Sequence, residues 1–242
     1  MSFSEFFMIM RGTGFLYGLF GGNTALWLTV GALISAIVAY LLGSINFAIM
    51  ISQKEYHQDI RTHGSGNAGM TNMMRTYGRR AAILTFIGDA MKAIVAGIVG
   101  YLCLGYLGAH IAGVFCVVGH MYPVFFKFKG GKGVVTTAAS MLVCNPYVFL
   151  IELVIYVLTV VIWKYISLAS IMCALLYPVI LNGMDKFFNV EGVYGIFTVI
   201  IAVLVVLKHK ENIKRLLNGT ESRFTFKKSV KKEEVEEENI EN

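Results

Sequence analysis

Residues 24–43 read TALWLTVGALISAIVAYLLG, a stretch without a charged side chain, and the apolar run continues to Ser52. A helix needs about 20 mostly apolar residues to cross the hydrocarbon core of a bilayer. The whole chain shares this character, because 56% of its 242 residues are hydrophobic and only 15% are charged. Its mean hydropathy is +0.65. Globular domains carry about 25% charged residues, so the composition predicts an all-α integral membrane protein.

Seven apolar segments predict about seven transmembrane helices. They are Thr24–Ser52, Ala81–Tyr106, Ala109–Phe126, Val134–Asn145, Pro146–Trp163, Ile166–Gly183 and Val193–Leu207. The fourth and fifth segments are halves of one long run that is split at Asn145-Pro146. Proline suits the first turn of a new helix, so we expect a tight turn there.

Charge placement predicts how these helices face. With seven spans, one side of the membrane receives four polar segments with 18 Lys and Arg residues: 53–80, 127–133, 164–165 and 208–242. The opposite side receives Arg11 and Lys186. Because basic residues favour the cytoplasmic side, we expect the N-terminus outside and the C-terminus in the cytoplasm.

The two ends of the chain differ from its centre. Residues 1–22 contain a Gly14/Gly18/Gly22 stripe interrupted by charges and lack the basic start and cleavage site of a signal peptide. We expect residues 1–22 to form an N-terminal extension, as a helix-packing face or as an interfacial segment, and 23–221 to form the membrane domain. Residues 222–242 are rich in charge and predict a disordered cytoplasmic tail.

The cysteines and histidines show no metal-ligand spacing. The four cysteines lie singly in apolar runs, and the five histidines form no H-x-x-x-H pair. Small buried hydrophobes account for isolated cysteines of this kind. We therefore expect no metal, no cofactor and no disulfide.

The first polar patch is residues 59–75, DIRTHGSGNAGMTNMMR. Its glycines Gly64, Gly66 and Gly69 allow backbone N–H groups to turn toward a ligand. Ser65, Asn67, Thr71 and Asn72 add neutral hydrogen-bonding groups, and Arg61 and Arg75 add positive charge. This combination favours a phosphate site. The alternative is a glycine-rich turn with solvated polar residues.

The second polar patch is residues 119–133, GHMYPVFFKFKGGKG. Its lysines surround Gly130 and Gly131 at the start of the fourth predicted span. Backbone amides at a helix N-terminus and nearby lysines form a second anion site. A cluster of lysines that only anchors the helix is the alternative, although it leaves the paired glycines unexplained.

The third polar patch, residues 208–221, follows the last span. On a helix, His209 and Asn212 lie three residues apart and share one face. Histidine is the natural proton acceptor near neutral pH. A solvated or structural histidine is the alternative.

Asp89 and Lys92 are ionisable residues within a predicted span. A charge inside the bilayer costs about 2.5–3.5 kcal/mol on insertion scales, so we expect the two side chains to pair inside the bundle. Because both lie over two helical turns from the cytoplasmic end, we interpret the pair as structural. Glu152 lies in another span without an evident partner.

Together these motifs resemble the bacterial glycerol-3-phosphate acyltransferases that use acyl-phosphate as donor, the PlsY type. The resemblance rests on seven ordered matches: Gly43-Ser-Ile45, Asp59-Ile-Arg61, Gly64-Ser-Gly-Asn67 with Thr71-Asn72 and Arg75, Gly119-His120 with Pro123, Phe128–Gly133, Ser167–Ser170, and His209–Glu221. Where the family commonly has proline after Gly-Ser-Ile, this chain has Asn46.

The resemblance implies roles by position. Ser65, Arg75, His209 and Asn212 match the catalytic centre. The glycerol-phosphate motif is matched by Lys129, Gly130, Gly131 and Lys132. Thr71 and Ser167 match supporting polar positions, and Glu221 matches a structural one. We also expect Gly64, Gly66, Asn67, Asn72 and His120 to contribute to substrate binding.

The resemblance also implies a reaction in phospholipid biosynthesis. The 1-hydroxyl of glycerol 3-phosphate attacks the carbonyl of a fatty acyl-phosphate at the cytoplasmic face, giving 1-acylglycerol 3-phosphate and phosphate. Either His209 or the phosphate of the substrate takes the hydroxyl proton. Partners would be the two substrates, membrane lipid and the enzyme that supplies acyl-phosphate, with no nucleic acid.

Two other classes fit the sequence less well. A phosphate or organic-anion transporter normally places its site near the bilayer midplane between repeats, whereas the polar patches here gather at one face. A scaffold subunit with basic anchoring loops leaves His209 and Asn212 unexplained.

Overall fold

A computed structural model describes residues 13–15, 17, 24–187 and 194–224. In these ranges the chain forms α-helices and short 3-10 turns, with no β-strand, so the all-α prediction is confirmed. The helices are α1 Thr24–Ser44, α2 Phe47–Tyr56, α3 Met70–Tyr77, α4 Arg79–Met121, α5 Val134–Cys144, α6 Pro146–Trp163, α7 Ile166–Phe187, α8 Gly195–Lys208 and α9 Lys210–Leu217. The 3-10 turns are Ile60–Thr62 and Val124–Phe126.

Four helical stretches of the described chain are long and apolar enough to cross a membrane: Thr24–Tyr56, Arg79–Phe126, Pro146–Trp163 and Ile166–Lys186. The helix α8 is also apolar but has 14 residues in the described part. The predicted fourth span forms α5, whose 11 residues reach about 16 Å, roughly half the hydrocarbon core. The count of seven crossings stays a prediction.

The first predicted span ends earlier than Ser52. Helix α1 stops at Ser44, and Asn46 takes an extended conformation in which its side chain accepts a hydrogen bond from the Ile49 backbone N–H at 3.1 Å. An asparagine in this position caps a new helix by satisfying one of its free N–H groups. The residue that departs from the family pattern therefore starts α2.

Helix α4 reverses direction at Leu104 and Gly105, which have non-helical backbone angles. Gly100 and Gly108 lie backbone to backbone, so that a Cβ on either would strike the other's carbonyl oxygen. Residues eight apart on a straight helix would be about 12 Å apart. The two arms of α4 therefore form an antiparallel hairpin with its turn at residues 104–105, and the crossing of the membrane by each arm stays a prediction.

The predicted turn at Asn145-Pro146 is confirmed. Asn145 has an extended conformation, and its side-chain oxygen accepts hydrogen bonds from the N–H groups of Tyr147 and Val148, both at 3.2 Å. Pro146 occupies the first turn of α6, where its missing N–H costs nothing.

Small residues line the interior between α1, the two arms of α4 and α5. They are Ala39, Ala93, Ala96, Ala112, Cys116 and Ala139. Small side chains let helix backbones approach closely, which is how helices associate in a membrane. In contrast, α6 exposes large apolar side chains such as Leu150, Val154 and Val161 along its length. That face suits contact with lipid.

The described parts of the four basic segments meet at one end of the helix bundle. Arg61 Nη1 donates to the Phe126 carbonyl at 2.9 Å, Lys132 Nζ donates to Asn212, and Phe224 N–H donates to the Lys164 carbonyl at 2.6 Å. These contacts agree with the grouping predicted from charge. The compartment that this end faces stays a prediction.

The chain ends fall mostly outside the described residues. Gly14 packs against the backbone of the α4 turn at residues 103–105, whereas Gly18 and Gly22 of the predicted stripe lie outside the described part, as do residues 225–242 of the predicted tail. The first residues of that tail, 222–224, are described and contact residues 164 and 165. The four cysteines are free.

Candidate functional site

A cavity of about 140 Å³ opens where the three polar patches meet. Ten of the residues predicted from the sequence line it: Ser65, Asn67, Thr71, Asn72, Arg75, His120, Lys132, Ser167, His209 and Asn212. Gly64, Gly66, Lys129, Gly130 and Gly131 are not among the lining residues. The structure thus brings the predicted catalytic residues together. It places five of the predicted substrate-binding residues outside the cavity lining.

Asn72 organises the loop of the first patch. Its buried amide donates to the carbonyls of Ile60 at 3.2 Å and His63 at 2.9 Å, and its oxygen accepts from the Ser65 N–H at 2.9 Å. Gly64 has φ +57°, and a Cβ there would collide with the Asn72 oxygen. Asn72 therefore holds the loop that presents Ser65, with its own polar groups already engaged.

Arg61 joins the first patch to the second. It contacts both carboxylate oxygens of Asp59 and donates to the carbonyls of Phe126 and Lys129. The hydrogen bonds from Arg61 lower the pKa of Asp59. Arg61 is therefore committed to internal partners, and Arg75 is the arginine of this patch that lines the cavity.

Gly130 and Gly131 allow close packing rather than anion binding through their own amides. Their N–H groups donate to the carbonyls of Met121 and His120 at 3.2 and 3.1 Å. A Cβ on Gly131 would strike the His120 ring and the Ala68 carbonyl. Our expectation that these two amides face a ligand is therefore wrong, because the backbone of the preceding turn uses them.

The first residues of α5 lie on the cavity instead. Gly133, Val134 and Val135 line it, and the first N–H groups of a helix have no partner within the helix. The start of α3 lies on the same cavity through Gly69, Met70 and Thr71. The cavity therefore receives the positive ends of two helix dipoles. Lys129 is exposed, and only its backbone takes part in the loop.

His209 lies at the junction of α8 and α9. Its Nδ1 is 2.8 Å from the Val205 carbonyl oxygen. Because a carbonyl only accepts, Nδ1 carries the proton and Nε2 presents a lone pair. Burial lowers the pKa of His209 to about 4, and nearby Lys132 adds to this effect. The ring is therefore neutral at pH 7 and able to accept a hydrogen bond.

Glu221 connects the third patch to α7. Its oxygen Oε1 accepts from Ser167 and Asn212, both at 2.7 Å, and Oε2 accepts from Arg215 Nε at 2.7 Å. Burial raises the pKa of this carboxyl, but the three hydrogen bonds outweigh burial and lower it. Asn212 also accepts from Lys132 Nζ. Burial lowers the pKa of Lys132 to about 8.

Several lining residues were not predicted as part of the site. They are Asp89, Tyr156, Ser170, Arg215 and Phe224 among others. Arg215 had a signal in the sequence, because it lies three residues after Asn212 and continues the helix face of His209 and Asn212. Tyr156 and Phe224 had none, because their position depends on packing between distant segments.

The predicted ion pair between Asp89 and Lys92 is confirmed, with a distance of 2.6 Å. Lys92 Nζ also lies 2.7 Å from the Ile45 carbonyl and 2.9 Å from His120 Nδ1. Asp89 and His120 both line the cavity. The pair that we interpreted as structural from its distance to the end of the span therefore lies beside the cavity, because the hairpin of α4 places residue 89 beside residue 120.

Within the described ranges, no group of three His, Cys, Asp or Glu side chains could hold a metal ion. The cations of the site are side chains: Arg75, Lys132 and Arg215. Together with two helix N-termini, they give the cavity a chemistry suited to phosphorylated molecules.

Sequence comparison identifies relatives of this chain. The sequence model of the glycerol-3-phosphate acyltransferase family matches residues 33–219. A glycerol-3-phosphate acyltransferase of Thermoanaerobacter sp. strain X514 is 42% identical over 200 residues, which are 83% of this chain and 99% of the relative. One of Geotalea daltonii is 43% identical over 189 residues, which are 78% of this chain and 95% of the relative.

Two solved structures have the same fold. The crystal structure of PlsY, an integral membrane glycerol 3-phosphate acyltransferase, in its glycerol 3-phosphate form has a TM-score of 0.73 at 37% identity and covers 80% of this chain and 96% of that chain. Its lysophosphatidic acid form has a TM-score of 0.70 at 36% identity and covers 80% and 95%. The family match contains the first two polar patches and the third as far as residue 219.

Proposed function

This chain belongs to the glycerol-3-phosphate acyltransferase family, and we propose that it transfers a fatty acyl group from an acyl-phosphate to the 1-hydroxyl of glycerol 3-phosphate. The products are 1-acylglycerol 3-phosphate and inorganic phosphate. The main support for this proposal is the cavity, which is lined by Arg75, Lys132 and His209 from three distant parts of the sequence. Membership of this family removes the transporter alternative.

Two phosphate groups need binding in this reaction, and the cavity offers two kinds of anion partner. Arg75 and the start of α3 lie on the first polar patch, and Lys132 and the start of α5 lie on the second. Cations and helix N-termini stabilise phosphate by charge and by hydrogen bonds. Each substrate carries one phosphate, and we assign both phosphates to these cations and helix N-termini.

His209 would position the attacking hydroxyl, and Asn212 would hold Lys132 in place through its bonds to Lys132 and Glu221. The lone pair on His209 Nε2 accepts a hydrogen bond from that hydroxyl. With a pKa of about 4, His209 is a weak base in the free protein. A phosphate dianion takes up a proton with a pKa near 6, so it is the stronger base of the two. We therefore assign the orientation of the hydroxyl to His209 and the final proton to the phosphate of glycerol 3-phosphate.

The acyl-phosphate is already activated, so direct transfer needs no acyl-enzyme. The hydroxyl oxygen forms a bond to the acyl carbon, and the bond from that carbon to the phosphate oxygen breaks. Arg75 and Lys132 would stabilise the charge that develops on the departing phosphate. The Ser65 side chain has no base within hydrogen-bond distance among the described residues, so we assign it to phosphate binding rather than to nucleophilic attack.

The setting of the reaction follows from the same proposal. The basic end of the bundle would face the cytoplasm of a bacterial cell, where glycerol 3-phosphate is dissolved. The fatty chain of the donor would lie among the helices in the membrane. We also propose that the membrane domain includes residues 222–224, which contact residues 164 and 165, and that a separate enzyme supplies the acyl-phosphate.

The test is an assay of the purified protein in detergent. Labelled glycerol 3-phosphate is incubated with palmitoyl-phosphate, and in parallel with palmitoyl-CoA, each with EDTA. We expect labelled lysophosphatidic acid from palmitoyl-phosphate alone. Product from palmitoyl-CoA alone would contradict the proposed donor, and absence of product from folded protein would contradict the reaction.

Arg75→Gln and Arg79→Gln form a matched pair for this assay. Arg75 lines the cavity and Arg79 is exposed four residues later, outside the lining. Because Arg75 is assigned to phosphate, we expect its loss to reduce kcat/KM by about 100-fold, the effect of removing one such donor. Arg79→Gln should stay within about twofold of the unmodified protein. Equal activity of both variants would contradict the assignment.

A further inference from the structure

The floor of the cavity holds three ionisable side chains that the proposed mechanism does not use. Asp89, Lys92 and His120 are 2%, 5% and 4% exposed. Lys92 Nζ contacts Asp89 Oδ1 at 2.6 Å and His120 Nδ1 at 2.9 Å. Asp89 and His120 line the cavity. Lys92 is not among the lining residues, and its Nζ also donates to the Ile45 carbonyl.

The contact with Lys92 decides which nitrogen of His120 carries the proton. His120 Nδ1 has two neighbours, Lys92 Nζ at 2.9 Å and Asp89 Oδ1 at 3.4 Å. The lysine is the nearer one, and its ammonium has donors and no acceptor, so Nδ1 accepts from it, while Asp89 Oδ1 accepts from Lys92 at 2.6 Å. The neutral imidazole then carries its proton on Nε2. In the part of the chain that the structure describes, Nε2 has no hydrogen-bond partner; it lies beside Gly131, and the His120 side chain belongs to a residue that lines the cavity.

The two histidines of the cavity therefore have opposite tautomers. His209 donates through Nδ1 to a backbone carbonyl and offers a lone pair. His120 accepts through Nδ1 from an ammonium and offers an N–H. One ring suits the hydroxyl that attacks, and the other suits an oxygen that gains negative charge.

Charge and depth indicate which oxygen meets the N–H of His120. Two of the cations that line the cavity, Arg75 and Arg215, lie near water. The side chain of Arg215 is 42% exposed. Asp89 lies ten residues into α4, about 15 Å from its start. At this depth Lys92 neutralises the charge of the Asp89 carboxylate, so the pair offers no net positive charge to hold a phosphate dianion. A neutral donor beside that carboxylate suits an acyl carbonyl arriving from the membrane.

We propose that His120, held as the Nε2–H tautomer by Lys92 and Asp89, donates a hydrogen bond to the acyl carbonyl oxygen as that oxygen becomes an oxyanion. His120 is then a catalytic residue, and Asp89 and Lys92 are positioning residues. The inference rests on the proposed acyl transfer.

The step balances without proton transfer by His120. The hydroxyl oxygen bonds to the acyl carbon while the carbonyl π electrons move onto oxygen, where the Nε2–H donates. The electron pair then re-forms the double bond as the phosphate leaves with the electrons of its own C–O bond. His120 keeps its proton throughout, so it stabilises the transition state by hydrogen bonding alone.

Two substitutions separate the two sides of the ring. His120→Gln places an amide N–H near the position of Nε2, whereas His120→Asn places its amide near Nδ1 and leaves the cavity side empty. Loss of one oxyanion donor costs about 10²–10³ in kcat. We expect His120→Asn to lower kcat about 100-fold with unchanged KM for both substrates, and His120→Gln to recover at least tenfold of that loss.

Three kinetic results would overturn the proposal. Near-normal kcat in His120→Asn would leave His120 a structural residue. Equal losses in both variants would show that Nε2 has no separate role. A raised KM for glycerol 3-phosphate or acyl-phosphate with normal kcat would assign the N–H to a bound phosphate in the ground state.

A measurement of the tautomer in the unmodified protein does not depend on turnover, and it needs a variant only to assign the signals. In protein labelled with ¹⁵N-histidine, the ring signals missing from His120→Gln identify His120. We expect a neutral ring protonated at Nε2, and a proton at Nδ1 would overturn the proposal. Failure of acyl transfer itself would appear as absence of product from the unmodified protein, whatever the tautomer.

Discussion

At the scale of single residues, the site depends on ionisable groups whose properties are set by burial. Lys132 and His209 come from distant segments of the sequence, and both line the cavity. Burial favours the neutral form of each. Lys132 stays mostly charged at pH 7 with a pKa of about 8, and His209 stays neutral with a pKa of about 4. Between about pH 4 and pH 8, Lys132 is therefore charged and His209 is neutral, as the proposed reaction requires.

The charge of Lys132 predicts an alkaline limit for activity. Above pH 8 the ammonium loses its proton, so kcat/KM for glycerol 3-phosphate should fall as the pH rises from 8 to 9.5. In Lys132→Arg the guanidinium stays charged, and this decline should disappear even if activity at pH 7 is reduced. Lys127→Arg, at an exposed lysine of the same loop, is the control. A decline that persists in Lys132→Arg would assign it to another group.

His209 predicts a dependence of stability on acidity. Its pKa is about 4 in the folded protein against an ordinary value of 6.5, so between these values the unfolded chain binds a proton that the folded chain does not. Stability is therefore lost as the pH falls from 6.5 to 4, by up to about 3 kcal/mol. His209→Gln removes this contribution.

The measurement is the Tm in detergent across that pH range. The drop in Tm should be smaller in His209→Gln than in the unmodified protein, while His57→Gln, at an exposed histidine, should behave like the unmodified protein. Parallel curves for all three proteins would show that His209 is not the group responsible.

At the scale of helices and loops, close backbone contacts fix the geometry of the site. The α4 hairpin closes through Gly100 and Gly108, and it thereby aligns Asp89 with His120. Gly131 presses its loop against the His120 ring and the Ala68 carbonyl, which joins the first two polar patches. Such contacts leave no space for a side chain, so glycine is required by packing rather than by flexibility.

Gly131→Ala tests the loop contact. The new methyl group would displace the His120 ring or the loop, and overpacking of this kind costs about 1–3 kcal/mol. We expect a lower Tm and a kcat reduced at least tenfold. Gly183→Ala is the matched control, because a Cβ there meets nothing within 4 Å and alanine favours a helix. Equal behaviour of the two variants would refute the packing argument.

At the scale of the whole molecule, the sequence predicted which parts meet but not the distances between them. The charge pattern grouped four segments that contact one another in the structure, because membrane insertion sorts basic residues to one side. Residue type and spacing predicted that Arg75 adds positive charge to a phosphate-binding loop and that His209 and Asn212 share a helix face, and the resemblance to the acyltransferases implied that the three belong to one site. Local patterns such as Asn145-Pro146 predicted turns directly.

The remaining features depend on contacts between residues far apart in the chain. The region of the α4 turn contains four glycines, at 97, 100, 105 and 108, so the sequence offered several places for a reversal. Asp89 reaches the cavity only because that reversal lies at 104–105. The amides of Gly130 and Gly131 suggested an anion site until the structure showed them bonded to the preceding turn.

The orientation of the whole bundle predicts a labelling pattern. Single cysteines at Lys127 and Lys214 lie at the basic end, and one at Lys186 lies at the other end of α7. A membrane-impermeant thiol reagent added to intact cells should label only Lys186→Cys, and lysis should expose the other two. The unmodified protein provides the background. The reverse pattern would place the active end outside the cell.

The position of the cavity at one end of the helix bundle has a consequence for the membrane itself. Each turnover would deliver a new single-chain lipid to the leaflet on that side and none to the other. Growth driven by this protein is therefore asymmetric, and the area of one leaflet would increase ahead of its partner. A cell that enlarges its envelope this way needs a separate route by which lipids cross to the far leaflet.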